Sequence, residues 1–565
     1  MRGITRLGKV AAVRGVGVVS AGTAAPGAEH PAPLRRRLSD WAVLMIPAAA
    51  ALLLNGYQLG KLSLWRDEAY TVDAAHRSVG QIIALLHRTD AVNGTYYLLM
   101  HVVITFFGTS ATAIRLPALL ATAVTAAMIA ALGMLLARLA DLPAPGLTGL
   151  LAGLLFAAAP EATRYAQDAR AYAIVTMFAT IATYLLVRAL MAGTWWRWAG
   201  YALAIVAAGL FNLFSLLLVV AHGLTVLAAR ARHRRRDPDV PAVRLSRWLV
   251  AVIAAGLALA PLAVVGASQR SQIAWLPKPD WGTAYDLVVS FCGDRPLVVP
   301  ILALALCGSV AGLITRSRFQ ATQGAATQGA ATQSQASWGP ATPGAVGLPW
   351  LLVPPVILLT VSQQGTPVYN GRYVVYCLPA LALLCAAGLA AVASVVSRAL
   401  PRGWGAVAGW VPSAGVGALV AVLLIAPQQA IRLPASRPDN LRAAAAAVAA
   451  HGRPTDIVFY IPWNQRILGM GYPGPFRQLR DIALGVSPVA SDTLLGTEVN
   501  LATWRHRLVN VSRIWLVTSI GHRKLLKSAD PLDRMELALL SGMRLIGRWH
   551  AGSDVLSLYG PRKAS

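Results

Sequence analysis

Long apolar blocks separated by short polar intervals dominate the chain. They fall at about 41–59, 114–137, 146–160, 172–192, 198–212, 213–229, 248–267, 296–314, 347–362, 373–397 and 408–427. A helix crosses a bilayer in roughly 20 apolar residues, so the pattern predicts about eleven transmembrane helices. Residues 95–108 are equally apolar but too short to span, a length that fits a re-entrant or interfacial helix. The first outer loop, 60–113, also holds residues 79–87, apolar on one side like a helix lying on the membrane surface. After 427 the pattern changes. Residues 428–565 read as a soluble α/β domain, with a helix near 442–451 and strand-like runs at 456–461, 513–518 and 554–559.

The fold expected is thus a polytopic α-helical membrane protein, its membrane part spanning 41–427, with a C-terminal domain. Composition agrees: of 565 residues, 56% are hydrophobic and 13% charged, where a soluble domain carries about 25% charged. A formal net charge of +27 would point to nucleic acid in a soluble chain. Here the excess Lys and Arg gather in alternate loops, above all 230–247, as the positive-inside rule requires, and no nucleic-acid partner is expected. That rule places the N-terminus in the cytoplasm. Residues 1–40 then form a disordered basic cytoplasmic tail, and 315–345, with its tandem Ala-Thr-Gln-Gly-Ala, a low-complexity cytoplasmic insert. With about eleven crossings the 428–565 domain is extracytoplasmic and the protein a multi-pass protein of the cell membrane. The four cysteines show no paired spacing and read as small buried hydrophobes.

Three polar clusters fall on the predicted outer face. Asp67 and Glu68 follow the first membrane helix at once, in Trp65-Arg66-Asp67-Glu68-Ala69. Adjacent carboxylates at such depth lose hydration and repel each other, conditions that suit a general base of raised proton affinity; an ordinary helix N-terminus with interfacial charges is the plain alternative. The second cluster is 161–172. Arg164, Asp168 and Tyr172 would share one side of a continuous helix, with Arg164–Asp168 a local ion pair, while Arg170 has no local partner. The third is 363–373, where Arg372 and Tyr373 open the tenth predicted span. Arg372 either holds a lipid phosphate or anchors the helix to headgroups. Arg270 and Lys278 belong to the same face, as does Tyr97 at the mouth of the short helix. His101 and His222, in apolar helices, read as satisfied structural residues.

The ordered set Trp65-Arg-Asp-Glu-Ala69, Tyr96-Tyr-Leu-Leu-Met-His101 with Phe107-Gly108, Arg115-Leu-Pro117, Tyr165-Ala-Gln-Asp-Ala-Arg-Ala-Tyr172 and Gly371-Arg-Tyr373 with Leu378-Pro-Ala380 resembles the GT-C superfamily of polyprenyl-phosphate-sugar-dependent glycosyltransferases. More narrowly, it resembles the branch with protein O-mannosyltransferases, the aminoarabinose transferase of lipid A and actinobacterial membrane mannosyltransferases. The resemblance covers about 41–400 and implies that Asp67 is the catalytic carboxylate and that two surface helices occupy the first outer loop. One departure is Asn93-Gly94-Thr95, where many relatives carry Pro-Pro. The high Ala, Gly and Arg content associates with high-GC actinobacteria, which places mannose first and arabinofuranose second as the sugar.

The chemistry implied is inverting transfer from a polyprenyl-phosphate sugar donor to an envelope glycolipid, glycan or protein. Asp67 deprotonates the acceptor hydroxyl and Glu68 orients it. Arg372 and Arg170 clamp the departing phosphate, with Arg270, Lys278, Tyr97 and Tyr373 nearby, and Asp168 takes sugar hydroxyls or a divalent cation. No obligatory metal or other cofactor is expected. A transporter or flippase of a lipid-linked component is the alternative, but internal repeats and midplane charges typical of transporters are missing from the sequence. A purely structural assembly protein would leave Asp67–Glu68 without a role.

Overall fold

The computed structural model describes residues 34–234, 245–323, 341–399, 410–508, 511–519 and 530–562. The tail at 1–33 and most of the insert expected at 315–345 lie outside them. The apolar blocks all become helices. In chain order these are α1 (Leu34–Gly56), α2 (Arg66–His76), α3 (Val79–Arg88), α4 (Gly94–Phe107), α5 (Ala111–Leu139), α6 (Pro145–Ala158), α7 (Pro160–Ala166), α8 (Tyr172–Ala192), α9 (Trp195–Phe211), α10 (Leu217–Arg234), α11 (Leu245–Ser268), α12 (Trp281–Cys292), α13 (Val298–Gln323), α14 (Pro343–Gln364) and α15 (Leu378–Ala399), followed by Val411–Leu423.

Among the described residues six helices are long and apolar enough to cross a membrane, and up to eight if each of two bent pairs counts as one span, against the eleven expected. The difference has local causes. Pro160 lacks the N–H that would continue α6, and α6 and α7 meet at 62°. The helix α12, missed in the sequence, joins the next helix at 80°. The first and last blocks form the shorter apolar helices Asp40–Gly56 and Ala414–Ala430.

Many polar groups inside the bundle are satisfied locally, as hydrocarbon favours. Thr122, Thr125, Thr176, Thr180 and Thr183 each donate to the carbonyl four residues back. His222 lies 3.1 Å from both Thr183 Oγ1 and Tyr201 Oη, and His101 Nδ1 2.9 Å from the Ala75 carbonyl. Small residues let helix backbones touch: a Cβ added at Gly308 would collide with the Leu384 carbonyl, and one at Gly388 with the Leu304 carbonyl. Cys292, Cys377 and Cys385 are buried as expected, but Cys307 is exposed on α13.

Beyond 430 a four-stranded sheet forms from β1 (Ile457–Tyr460), β2 and β3 standing apart as a small pair (Leu484–Val486 with Thr497–Glu498), β4 (Ile514–Ser519), β5 (Arg544–Ala551) and β6 (Asp554–Gly560). Its order is β1-β4-β6-β5, with β1–β4 parallel and the rest antiparallel. One face packs Val458, Trp515 and Val517 against the helix Leu441–His451; the other packs Phe459, Ile514 and Leu516 against Trp504 and the helix Pro531–Ser541.

This domain is fastened to the loop 60–113. Arg66 at the start of α2 pairs with Asp439 at 3.3 Å and Asp554 at 3.1 Å. Arg77 donates to the Thr493 carbonyl at 2.7 Å, and the Leu64 amide to Tyr472 Oη at 3.2 Å.

Candidate active site

The chain turns directly from α1 into α2, whose first turn carries Asp67 and Glu68. Carboxylates are favoured there by the helix dipole. Successive helical residues diverge by about 100°, so the two side chains part company.

Glu68 points inward and is fully buried with Arg115. Arg115 Nε and Nη2 each donate to it at 2.7 Å, and the Ala169 amide donates at 2.9 Å. The same guanidinium donates to the carbonyls of Leu59, Leu62 and Ser63 at 2.9, 3.2 and 3.0 Å. Burial alone would raise the Glu68 pKa, but Arg115 outweighs it and holds the carboxyl below its ordinary value. The proton affinity expected to rise therefore falls at Glu68, and no acceptor hydroxyl can reach a carboxylate so enclosed. Glu68 is a positioning residue.

Asp67 points the other way. Its Oδ2 accepts from Arg372 Nη1 at 2.5 Å. Arg372 follows Asn370, whose side chain caps the short turn Gly371–Cys377, and its guanidinium lies 5.9 Å from the Tyr172 ring centre and 5.7 Å from that of Tyr373. Arg372 Nε is buried without a partner. Arg170 approaches from the turn between α7 and α8, with Nη1 3.5 Å from the Asp67 carbonyl and 3.4 Å from Thr71 Oγ1. Burial would weaken its charge, but Asp67, Tyr172, Tyr97 and Asp90 together raise its pKa well above the ordinary value. One carboxylate and two guanidiniums thus converge from segments about 100 and 300 residues apart, over an aromatic floor.

Similarities to solved structures run along most of this chain. ArnT from Cupriavidus metallidurans in its apo state aligns over 92% of this chain and 98% of its own, at 14% identity and a TM-score of 0.49. An apo oligosaccharyltransferase from Archaeoglobus fulgidus aligns over 86% and 70%, at 11% identity and TM-score 0.49. The arabinofuranosyltransferase AftD from Mycobacteria aligns over 94% and 42%, at 14% and 0.43. No protein-family model and no curated protein matches the chain.

Most of the remaining predicted residues have partners of their own around this cluster. Tyr97 is buried and donates its hydroxyl to Asp90. Tyr373 stacks on Phe214 at 5.0 Å. Asp168 is buried and accepts from Trp65 Nε1 at 3.0 Å; burial, opposed by Arg437 and reinforced by Glu68, raises its pKa. It orients Trp65 and does not open onto a sugar or cation. The helix expected through Arg164, Asp168 and Tyr172 breaks after Ala166, so Arg164 pairs with Glu161 at 3.6 Å instead. Arg270 and Lys278 are exposed beyond α11 and, among the described residues, form no ion pair with the cluster. Their neighbours Gln269 and Gln272 accept from the Ala91 and Asp90 amides at 2.9 and 3.2 Å, which fixes the entry to α4. Among the described residues no three His, Cys, Asp or Glu side chains group as metal ligands.

Two residues of weight escaped the sequence reading. Arg115 was legible only as part of a motif, although an arginine in the first turns of an apolar helix demands a buried partner. Arg437 lies 5.6 Å over the Trp65 ring and donates to the Gln167 carbonyl at 2.8 Å; nothing in its local sequence marks it.

Proposed function

We propose that the chain is a membrane glycosyltransferase of the GT-C type. It moves a sugar, mannose first and arabinofuranose second, from a polyprenyl-phosphate donor to an envelope glycolipid, glycan or protein on the outer face, with inversion. The observation that carries this reading is the Asp67–Arg372 contact with Arg170 beside it. The sequence motifs shared with GT-C enzymes support it independently.

The pairing also gives an order of events. With Arg372 bound, the Asp67 carboxylate is occupied by the guanidinium. An incoming donor phosphate competes for the Arg372 guanidinium, whose fork matches phosphate geometry, and Arg170 adds a second charge. Asp67 is then released and takes the proton of the acceptor hydroxyl as its oxygen bonds to the anomeric carbon. The anomeric carbon–oxygen bond to phosphate breaks, its electron pair stays on the polyprenyl phosphate, and the two arginines stabilise the charge that develops. A phosphate leaving group at neutral pH needs no proton donor. Donor access from the bilayer, the positive-inside charge pattern and the docked C-terminal domain support a reaction on the extracytoplasmic side.

Membranes with and without the protein, given radiolabelled polyprenyl-phosphate mannose and then the arabinofuranose donor, test this. Sugar moving to a product only where the protein is present is expected. Folded protein that leaves both donors intact in the presence of whole-envelope acceptors would overturn the reading.

A further inference from the structure

A cleft of about 890 Å3 lies at the seam between the first outer loop and the C-terminal domain. It is not the Asp67 site. Its lining residues on α2 are Val72, Asp73 and His76. At about 3.6 residues per turn, Val72 and His76 project from the side of the helix away from Asp67. The mechanism proposed above leaves this cleft without a task.

Its charge is one-sided. Arg442 and Arg477 from the C-terminal domain and His76 from α2 line it, all exposed. Asp73 is the one carboxylate among the described lining residues, and it is already engaged by Arg77 Nη2 at 2.8 Å. Arg442 is held in place from both ends: its amide donates to Ser63 Oγ at 2.9 Å and its Nη1 to the Lys61 carbonyl at 3.1 Å. The loop therefore presents this guanidinium rather than neutralising it. Hydroxyls of Thr109, Ser110 and Thr112 complete the opposite wall.

On this side the cleft borders an exposed apolar surface. Thr109–Thr112 follow Phe106 and Phe107 at the end of α4, 76% and 66% exposed, and Gly60, also in the lining, follows Leu53 on α1 and Tyr57 just past its end, 77% and 61% exposed. Large apolar side chains exposed on membrane helices face lipid, with aromatic residues at the headgroup level. Cations stand on one side of the cleft and a lipid-facing surface borders the other.

We propose that this cleft binds the phosphate headgroup of an anionic membrane lipid, with Arg442 and Arg477 on the phosphate, the threonine and serine hydroxyls donating to its remaining oxygens, and the acyl chains running down past Phe106 and Phe107. Paired guanidiniums suit phosphate, and juxtamembrane cations are attracted to anionic lipid. The inference rests on the membrane embedding of the chain and is independent of the chemistry at Asp67.

Full-length protein extracted in detergent is equilibrated with dioleoyl phosphatidylglycerol or dioleoyl phosphatidylcholine, and retained lipid is read by native mass spectrometry. Wild type is expected to retain phosphatidylglycerol in preference to phosphatidylcholine. The variant Arg442→Gln with Arg477→Gln is expected to bind phosphatidylglycerol about tenfold more weakly, while the exposed control pair Arg505→Gln with Arg534→Gln matches wild type. Millimolar inorganic phosphate is the second arm. Failure to displace the lipid assigns the site to a headgroup, and displacement that depends on Arg442 and Arg477 supports the same phosphate chemistry from a soluble source. Equal retention by wild type and the Arg442/Arg477 variant, or an equal loss in the control pair, would overturn the proposal.

Discussion

Arg115→Met tests how the catalytic turn is held. Wild-type Arg115 donates five hydrogen bonds, two to Glu68 and three to the carbonyls of Leu59, Leu62 and Ser63, with both charged side chains wholly buried. Methionine fills similar volume but leaves the Glu68 carboxylate without its counter-charge. Removing one partner of a buried pair costs about 3–5 kcal/mol, and part of the loss of three carbonyl partners is recovered as the 59–63 segment relaxes towards water. Unfolding followed by tryptophan fluorescence in detergent should show a melting temperature lowered by roughly 5 °C or more. In a Glu68→Gln background the same substitution strands no charge, so its cost should be about 2 kcal/mol smaller. Because Asp67 precedes Glu68 in the same turn, donor-dependent transfer should fall along with stability in Arg115→Met. An unchanged melting temperature, or an equal cost in both backgrounds, would refute the view that this pair fixes α2 against the bundle.

Other consequences are equally concrete. Arg372→Ala should weaken donor binding about 10- to 100-fold, by loss of a charge-assisted contact of roughly 1.5–3 kcal/mol, measured as competition by polyprenyl phosphate; unchanged competition would remove Arg372 from the phosphate site. Burial and the neighbouring Asp439 charge push the Asp554 carboxyl up to about 7 against the opposing pull of Arg66. The folded chain therefore holds a proton there that the unfolded chain loses near the ordinary carboxylate value, and stability should decline as pH rises from that value through about 7. Asp554→Asn should flatten this decline, and a melting temperature with the same pH dependence in both proteins would contradict it. Gly308→Ala should separate α13 from α15 at the cost of about 1–3 kcal/mol, seen as a lower yield of monodisperse protein, whereas Gly415→Ala, with open space around its Cβ position, should behave as wild type.

What the sequence made legible and what it did not divide along physical lines. Apolar blocks found their helices because periodicity and length are local properties, and the short helix α4 stood out for the same reason. Strands β1, β4 and β6 carry apolar runs buried within the sheet, so they were recognisable. The edge strand β5 escaped because residues 544–550 are largely exposed and their pattern is polar. The expected Arg164–Asp168–Tyr172 face failed because regular helical spacing was carried through 167–171, where the chain turns instead. Asp67, Arg170 and Arg372 were each marked by charge at a membrane boundary. Their convergence, and the pairing of Glu68 with Arg115 across the loop, belong to tertiary packing, which no local pattern encodes. That pairing is also what turns the two adjacent carboxylates apart, Glu68 into the bundle and Asp67 towards Arg372.

The most direct test of the account compares Asp67→Asn with wild type for both donor binding and sugar transfer in the same membranes. Loss of the carboxylate removes the base and frees Arg372, so the account predicts transfer reduced about 10²- to 10⁴-fold with polyprenyl-phosphate-sugar binding retained or tightened. Transfer at the wild-type rate by Asp67→Asn would contradict it.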